Sequence, residues 1–173
     1  MMINSIKSYL LIFILSILYT NAKSQTIGVG ASGIYNFQSE SFGAGVRGSV
    51  FPNKRLSVVP QFSYFFGPKV KEYTIGLGLE GKFIKREKLI MYAILHGGYN
   101  KWISYQESGL KNAQPVNWNF EGGIGITTNT CLRPFLEYRY NVKFKETHLN
   151  LGFLYIFGCR NNRYVNDKCP TFK

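Results

Sequence analysis

The chain has 173 residues, room for one domain, and a formal net charge of +12. A basic chain raises nucleic acid as a partner, but the N-terminus reads as an export signal, which sets nucleic acid aside. Beyond residue 25 no apolar run has the length of a transmembrane helix, yet the chain is 45% hydrophobic and 16% aromatic with 18 glycines, the composition of a secreted or membrane β-protein.

Lys7 lies in a short n-region, residues 9–19 form an apolar run, and Ala22-Lys23-Ser24 fits a small-x-small cleavage site. The run is shorter than the ~20 residues of a spanning helix, so the expectation is a signal peptide over 1–24 with Gln25 as the mature N-terminus. No cysteine follows the run, which disfavours a lipoprotein anchor. The mature chain then divides into a β-domain over 25–158 and a short tail over 159–173.

From residue 26 onward apolar residues recur at every second position, the period of a strand with two unlike faces. A first strand over 26–37 sets Ile27, Val29, Ala31, Tyr35 and Phe37 against Gly28, Gly30, Ser32 and Asn36. A second over 42–51 sets Phe42, Ala44, Val46 and Val50 against Gly43, Gly45, Arg47 and Ser49. Pro52-Asn53-Lys54-Arg55 is a turn by its chemistry. In the third, over 56–66, Leu56, Val58, Phe62 and Tyr64 oppose Ser57, Gln61 and Ser63, and Pro60 predicts a bulge or weak pairing. The fourth, over 72–84, alternates most regularly: Tyr73, Ile75, Leu77 and Leu79 oppose Thr74, Gly76, Gly78, Glu80 and Lys82.

The charged turn Lys85-Arg86-Glu87-Lys88 leads to a fifth strand over 89–100, with Met91, Ala93, Leu95 and Tyr99 outward and Tyr92, Ile94, His96 and Asn100 inward. Residues 101–115 read as the longest loop, and its Trp102, Tyr105 and Lys111 are candidate binding residues. The sixth strand, over 116–127, opposes Trp118, Phe120 and Ile124 to Asn119, Glu121 and Gly123. The seventh, over 132–142, opposes Leu136, Tyr138 and Tyr140 to Glu137, Arg139 and Asn141. The eighth, over 147–158, opposes Leu149, Leu151, Phe153, Tyr155 and Phe157 to His148, Asn150 and Gly152.

Eight strands of about ten residues, joined up and down, have the length that tilted strands need to cross a bilayer. A soluble barrel would alternate too, with its apolar face inside. Two features favour the membrane form. The polar face carries glycine pairs (Gly28/Gly30, Gly43/Gly45, Gly76/Gly78, Gly123/Gly125), which suit a crowded interior better than a wet exterior. Aromatics on the apolar face gather toward the strand ends, as in two interfacial girdles. The expected fold is therefore all-β, an eight-stranded antiparallel up-and-down transmembrane β-barrel.

With its terminal aromatic strand and the segment Arg133-Pro134-Phe135-Leu136-Glu137-Tyr138-Arg139-Tyr140 ahead of Leu149-Asn150-Leu151-Gly152-Phe153, the chain resembles the small outer-membrane β-barrels of OmpA/OmpX type and the porin-like β-barrel domain families. The resemblance covers essentially all of the mature chain and implies an outer-membrane location. It implies contact with outer-membrane lipids and lipopolysaccharide, and with the barrel assembly machinery during biogenesis. A structural or interaction role follows, with an extracellular protein or ligand at the long loop. The alternative it implies is a lipid-A- or phospholipid-modifying enzyme.

At similar depths on the inward face lie Arg47, Glu80, Glu121, Glu137 and Arg139, with Lys82 slightly lower. Buried charges must pair, so these six are expected to form a lumen network. Exposed turn cations (Lys54, Arg55, Lys85, Arg86, Lys88) and the tail's Arg160, Arg163 and Lys168 suit either anionic head groups or ordinary solubility.

No phosphate-binding glycine motif, zinc-protease motif or nucleophile elbow occurs. His96 and His148 are the two histidines, and His148 with Ser104 or Ser108 is the one catalytic pairing worth testing. The expectation is no enzyme, no metal and no cofactor. The three cysteines are Cys131, Cys159 and Cys169. A hairpin of strands seven and eight places Cys131 opposite Cys159, the pairing preferred here, with Cys159–Cys169 as the rival.

Overall fold

A computed structural model describes residues 27–67, 71–103 and 114–159. The expected signal peptide, Ser104, Tyr105, Ser108, Lys111, Cys169 and the tail cations lie outside these residues.

Eight strands form: β1 (Ile27–Asn36), β2 (Ser41–Val50), β3 (Leu56–Phe65), β4 (Lys71–Lys85), β5 (Leu89–Ile103), β6 (Val116–Thr128), β7 (Leu132–Asn141) and β8 (Glu146–Ile156). Each pairs antiparallel with its chain neighbours, and β1 also pairs β8, so the sheet closes into a barrel. The alternation in the sequence is why. Phe42, Leu56, Leu95, Trp118 and Phe120 point outward and are each about two-thirds exposed, while Arg47, Glu80, Glu137 and Arg139 point inward and are buried. This polarity is the reverse of a soluble barrel and suits a wall facing hydrocarbon.

Both ends of the described chain and the turns at 51–55, 86–88 and 129–131 share one end, the terminal rim. The connections after β1, β3, β5 and β7 share the other, the loop rim. At the loop rim, two of these connections are built alike. Asn36 Oδ1 accepts the Gln38 and Ser39 N–H groups at 3.0 and 3.1 Å, and Asn141 Oδ1 accepts those of Lys143 and Phe144 at 3.1 and 3.2 Å. Such asparagine turns hold short hairpin loops tight. The first of these loops is also tied to the start of β8: Gln38 Nε2 donates to Thr147 Oγ1 at 2.9 Å, and Thr147 N donates to Gln38 Oε1 at 2.6 Å.

Pro60 faces outward and interrupts the β2–β3 ladder between Arg47↔Gln61 and Val50↔Val58 without shifting its register. Its missing N–H thus weakens pairing but adds no residue. The bulge lies elsewhere, in β4 between Lys82 and Ile84, where Phe83 is the extra residue. The β1–β8 seam pairs Gly28↔Ile156 through Asn36↔His148. Phe37 N→Thr147 O (3.1 Å) and Phe157 N→Ile27 O (3.0 Å) extend it at both ends.

One expectation needs correction. Trp102 is not on a loop: β5 continues to Ile103, pairing Glu72↔Trp102 and Lys71↔Ile103. The strand runs on because Lys101, Trp102 and Ile103 keep the alternation and β4 supplies a partner for each. Trp102 therefore faces inward, its ring 5.8 Å from that of Phe144.

Candidate functional site

The interior is layered. At mid-height, Glu137 is fully buried at the centre of the charges. Its Oε1 accepts from Arg47 Nη1 at 2.6 Å and from the Tyr92 hydroxyl at 2.6 Å; its Oε2 accepts from Arg139 Nε at 2.9 Å and Nη2 at 2.5 Å. Arg47 also bonds Glu80, and its guanidinium lies 4.5 Å from the centre of the Phe135 ring. Lys82 Nζ is 3.9 Å from Glu80, and Arg139 Nη1 is 3.5 Å from Glu121. Arg139 Nη2 also donates to Gln61 Oε1 at 3.0 Å. The three cations Arg47, Lys82 and Arg139 thus meet the three carboxylates Glu80, Glu121 and Glu137.

Toward the loop rim, Glu121 faces both histidines: His96 Nδ1 at 3.7 Å and His148 Nδ1 at 3.6 Å. His148 Nε2 lies 3.7 Å from Glu146, whose Oε2 accepts from Asn36 Nδ2 at 2.9 Å. An unbroken series of ionisable groups therefore runs from Glu146 down to Lys82. His148 is buried inside the barrel among carboxylates, while Ser104 and Ser108, the serines considered as its catalytic partners, lie outside the described residues. Among the described residues no group of three or more His, Cys, Asp or Glu side chains is arranged to hold a metal ion.

Beside the charges and toward the terminal rim lie two apolar clusters. Ile90, Tyr92 and Ile94 form one cluster; Phe135, Leu154 and Ile156 form another, against which Cys159 packs. Two glycines make this packing possible. A Cβ on Gly125 would stand 2.5 Å from Tyr92 Cζ, and one on Gly152 would stand 2.6 Å from Phe135 Cζ. Real Cβ contacts are not this short, so the bare backbone is what lets each ring lie against the wall.

The terminal mouth is closed by the turn at 51–55. Pro52 is fully buried, and Phe51 adopts φ 60°, a left-handed conformation uncommon for a side chain of this size. From across the lumen Arg133 Nη1 donates to Pro52 O at 3.1 Å and Nη2 to Asn53 Oδ1 at 2.5 Å. Lys82 Nζ donates to Lys54 O at 3.0 Å and also bonds Ser57 Oγ. Beside this mouth Cys131 and Cys159 are joined by a disulfide with a Cα–Cα separation of 5.5 Å.

Two interior voids lined by the described residues have volumes of about 10 Å³ each, one at the terminal mouth and one among Gln61, His96, Glu121, Arg139 and His148. A water needs about that much, so neither void is a passage. The larger concavities, of about 700 and 550 Å³, are open grooves on the outer wall, where Gly33, Ala44, Gly48 and Gly97 leave dips between aromatics. Arg47 and Gln61 are the only members of the network that line either groove, the other lining residues are outward apolar side chains and glycines for the most part, and these are the places where lipid chains would lie.

No family model matches the chain, and no curated protein does. Solved structures match it over most of its length. A de novo designed transmembrane β-barrel superposes with a TM-score of 0.57 at 12% identity, covering 79% of this chain and 99% of the design. The chain has the fold of the eight-stranded transmembrane β-barrels. The N-terminal β-barrel domain of Pseudomonas aeruginosa OprF gives 0.55 at 14% identity over 78% of this barrel and 100% of that chain. The Yersinia pestis outer membrane protein Ail, in a phospholipid bilayer nanodisc, gives 0.51 at 13% over 78% and 100%.

Sequence reasoning overlooked three members of this interior. Tyr92 was placed inward without its bond to Glu137, Arg133 was not placed in the lumen, and Pro52 was read as a plain turn residue. For Arg133 the signal was available: Leu132, Pro134 and Leu136 face outward, so parity puts Arg133 inside with Glu137.

Proposed function

We propose that this chain is an outer-membrane barrel that acts as a closed structural and interaction scaffold, with a plugged polar lumen and no catalytic role. The observation that supports the reading is the pairing of an apolar exterior with an interior that, among the described residues, is packed with buried polar and charged side chains, two apolar clusters and the tucked turn at the terminal mouth. The voids at the terminal mouth and beside the histidines hold about 10 Å³ each. A scaffold that neither conducts nor catalyses works through its rims. The interaction role falls to the loop rim, where Trp102 packs against Phe144 and Gln38 bonds Thr147, with Tyr105 and Lys111 of the β5–β6 connection as the candidate contacts. The outer-membrane location is supported by the likeness to the Yersinia outer membrane protein in fold.

Fractionation of envelopes on a density gradient tests the location. The protein is expected in the outer-membrane fraction and heat-modifiable on gels; recovery without detergent in the soluble fraction would overturn the reading. Planar-bilayer recording tests the plug, and a large, stable conductance would overturn it. An altered lipid-A pattern in a deletion strain, restored by wild type but not by His148→Ala, would overturn the non-catalytic reading in favour of a lipid-modifying enzyme.

A further inference from the structure

We propose that one side of the terminal rim is a binding surface for the head groups of anionic glycerophospholipids. This rests on the membrane reading above. Two turns build the surface. The turn at 51–55 and the turn at 86–88 are neighbours, because β3 pairs β4 and Lys82 N donates to Arg55 O at 2.9 Å. On them Lys54, Arg55, Lys85, Arg86 and Lys88 are all exposed, with Glu87 the one acid among them, so five cations less one carboxylate leave +4. The rest of the described rim, Thr128 to Cys131 and Phe157 to Cys159, carries no charge. Charge placed only for solubility would mix signs around the rim.

The cations also lie directly beside lipid-facing side chains. The Phe83 bulge breaks the alternation and turns both Phe83 and Ile84 outward, immediately before Lys85 and Arg86. Leu56 follows Arg55, and Leu89 follows Lys88; both are exposed. A phospholipid needs this juxtaposition, a phosphate-seeking cation within a residue or two of a surface that takes acyl chain. Among the described residues Lys54, Arg55, Arg86 and Lys88 are in no ion pair, and Lys54 Nζ lies 4.5 Å from the centre of the Phe51 ring. At the loop rim the described cations Lys71, Lys101, Lys143 and Lys145 are interspersed with Glu40, Glu72 and Glu146, leaving +1. Short turns mark the periplasmic end of such barrels, which puts the patch at the phospholipid leaflet.

The test is native mass spectrometry of the protein folded into vesicles of equal phosphatidylglycerol and phosphatidylcholine and then extracted into mild detergent. The wild type is expected to retain phosphatidylglycerol about tenfold over phosphatidylcholine. Lys54→Gln/Arg55→Gln/Arg86→Gln/Lys88→Gln should bring the ratio close to parity, while Lys71→Gln/Lys101→Gln/Lys143→Gln/Lys145→Gln, which removes as many charges from the other rim, should leave it high. If the first variant does not fold, Arg86→Gln/Lys88→Gln, whose side chains touch no lumen group, should still lower the ratio several-fold. Equal retention of both lipids by the wild type, or equal loss in both rim variants, would overturn the proposal and leave the membrane barrel standing. Failure of the wild type to enter vesicles would overturn both.

Discussion

Glu137→Gln removes the hub of the lumen and nothing of its shape. The native carboxylate takes four hydrogen bonds, three from the guanidiniums of Arg47 and Arg139 and one from Tyr92. The amide keeps one acceptor oxygen and turns an NH2 group toward a cation. Three buried cations, Arg47, Lys82 and Arg139, then face two carboxylates, Glu80 and Glu121. Removing one partner of a buried ion pair costs about 3–5 kcal/mol, because the charge left behind is desolvated and uncompensated. Tyr92→Phe removes a single bond to a charged acceptor and should cost about 1.5–3 kcal/mol. The double variant should fall short of the sum, since Tyr92 loses its charged acceptor in the Glu137→Gln background. Urea unfolding in phospholipid vesicles, followed by tryptophan fluorescence and extrapolated linearly, reads each value. A Glu137→Gln protein within about 1 kcal/mol of wild type, with unchanged native fluorescence, would refute the hub; strict additivity would refute the coupling.

Gly125→Ala drives a Cβ into Tyr92 and should cost about 1–3 kcal/mol, whereas Gly33→Ala, with nothing within 4 Å, should be near neutral in the same assay; the reverse order would refute the close-packing account. Cys131→Ser should cost about 2–4 kcal/mol under oxidising conditions and nothing with reductant present. Non-reducing peptide mapping should yield a Cys131–Cys159 peptide, and a dominant Cys159–Cys169 peptide would refute that pairing. Arg133→Met frees the tucked turn and should speed tryptic cleavage after Lys54 or Arg55 about tenfold; an unchanged rate would mean that the turn is held without Arg133.

The strands were legible because their inward and outward residues differ so sharply in chemistry. Gly-Leu-Gly-Leu-Glu in β4 and Leu-Asn-Leu-Gly-Phe in β8 admit one period and one facing. Even β5, whose inward Ile90, Tyr92 and Ile94 are as apolar as its outward residues, has the facing that puts His96 and Asn100 inside. The end of β5 differs from the sequence reading because Glu72, already within the fourth strand, becomes the partner of Trp102 only through the register set by the turn at 86–88 and the bulge at Phe83, which no local pattern shows. The depth of Arg47, Glu80 and Glu137 could be counted along their strands. Bonds across the lumen could not, because they depend on barrel stagger and on how far each side chain reaches. The tucked turn was illegible for the same reason: Pro-Asn-Lys-Arg specifies a turn, but not that Arg133 on a distant strand draws it into the mouth.

The seam between β1 and β8 joins the two ends of the chain. Its inward pairs from Gly28↔Ile156 to Ile34↔Asn150 carry no charge, and the one ionisable member is His148, opposite Asn36 near the loop rim. The ion network instead ties β2, β4, β6 and β7 together across the lumen. Loop-closure entropy makes pairing of such distant segments slow, and until it happens both edge strands stand open with unpaired backbone groups. The order of assembly is thereby biased. The middle strands can be knitted by their charges while the chain is still an open sheet, and the final stitch brings in only His148 and Glu146 at the loop rim. What that stitch needs is the complete chain through β8, so a chain truncated before this strand leaves an apolar sheet with two sticky edges rather than a smaller barrel.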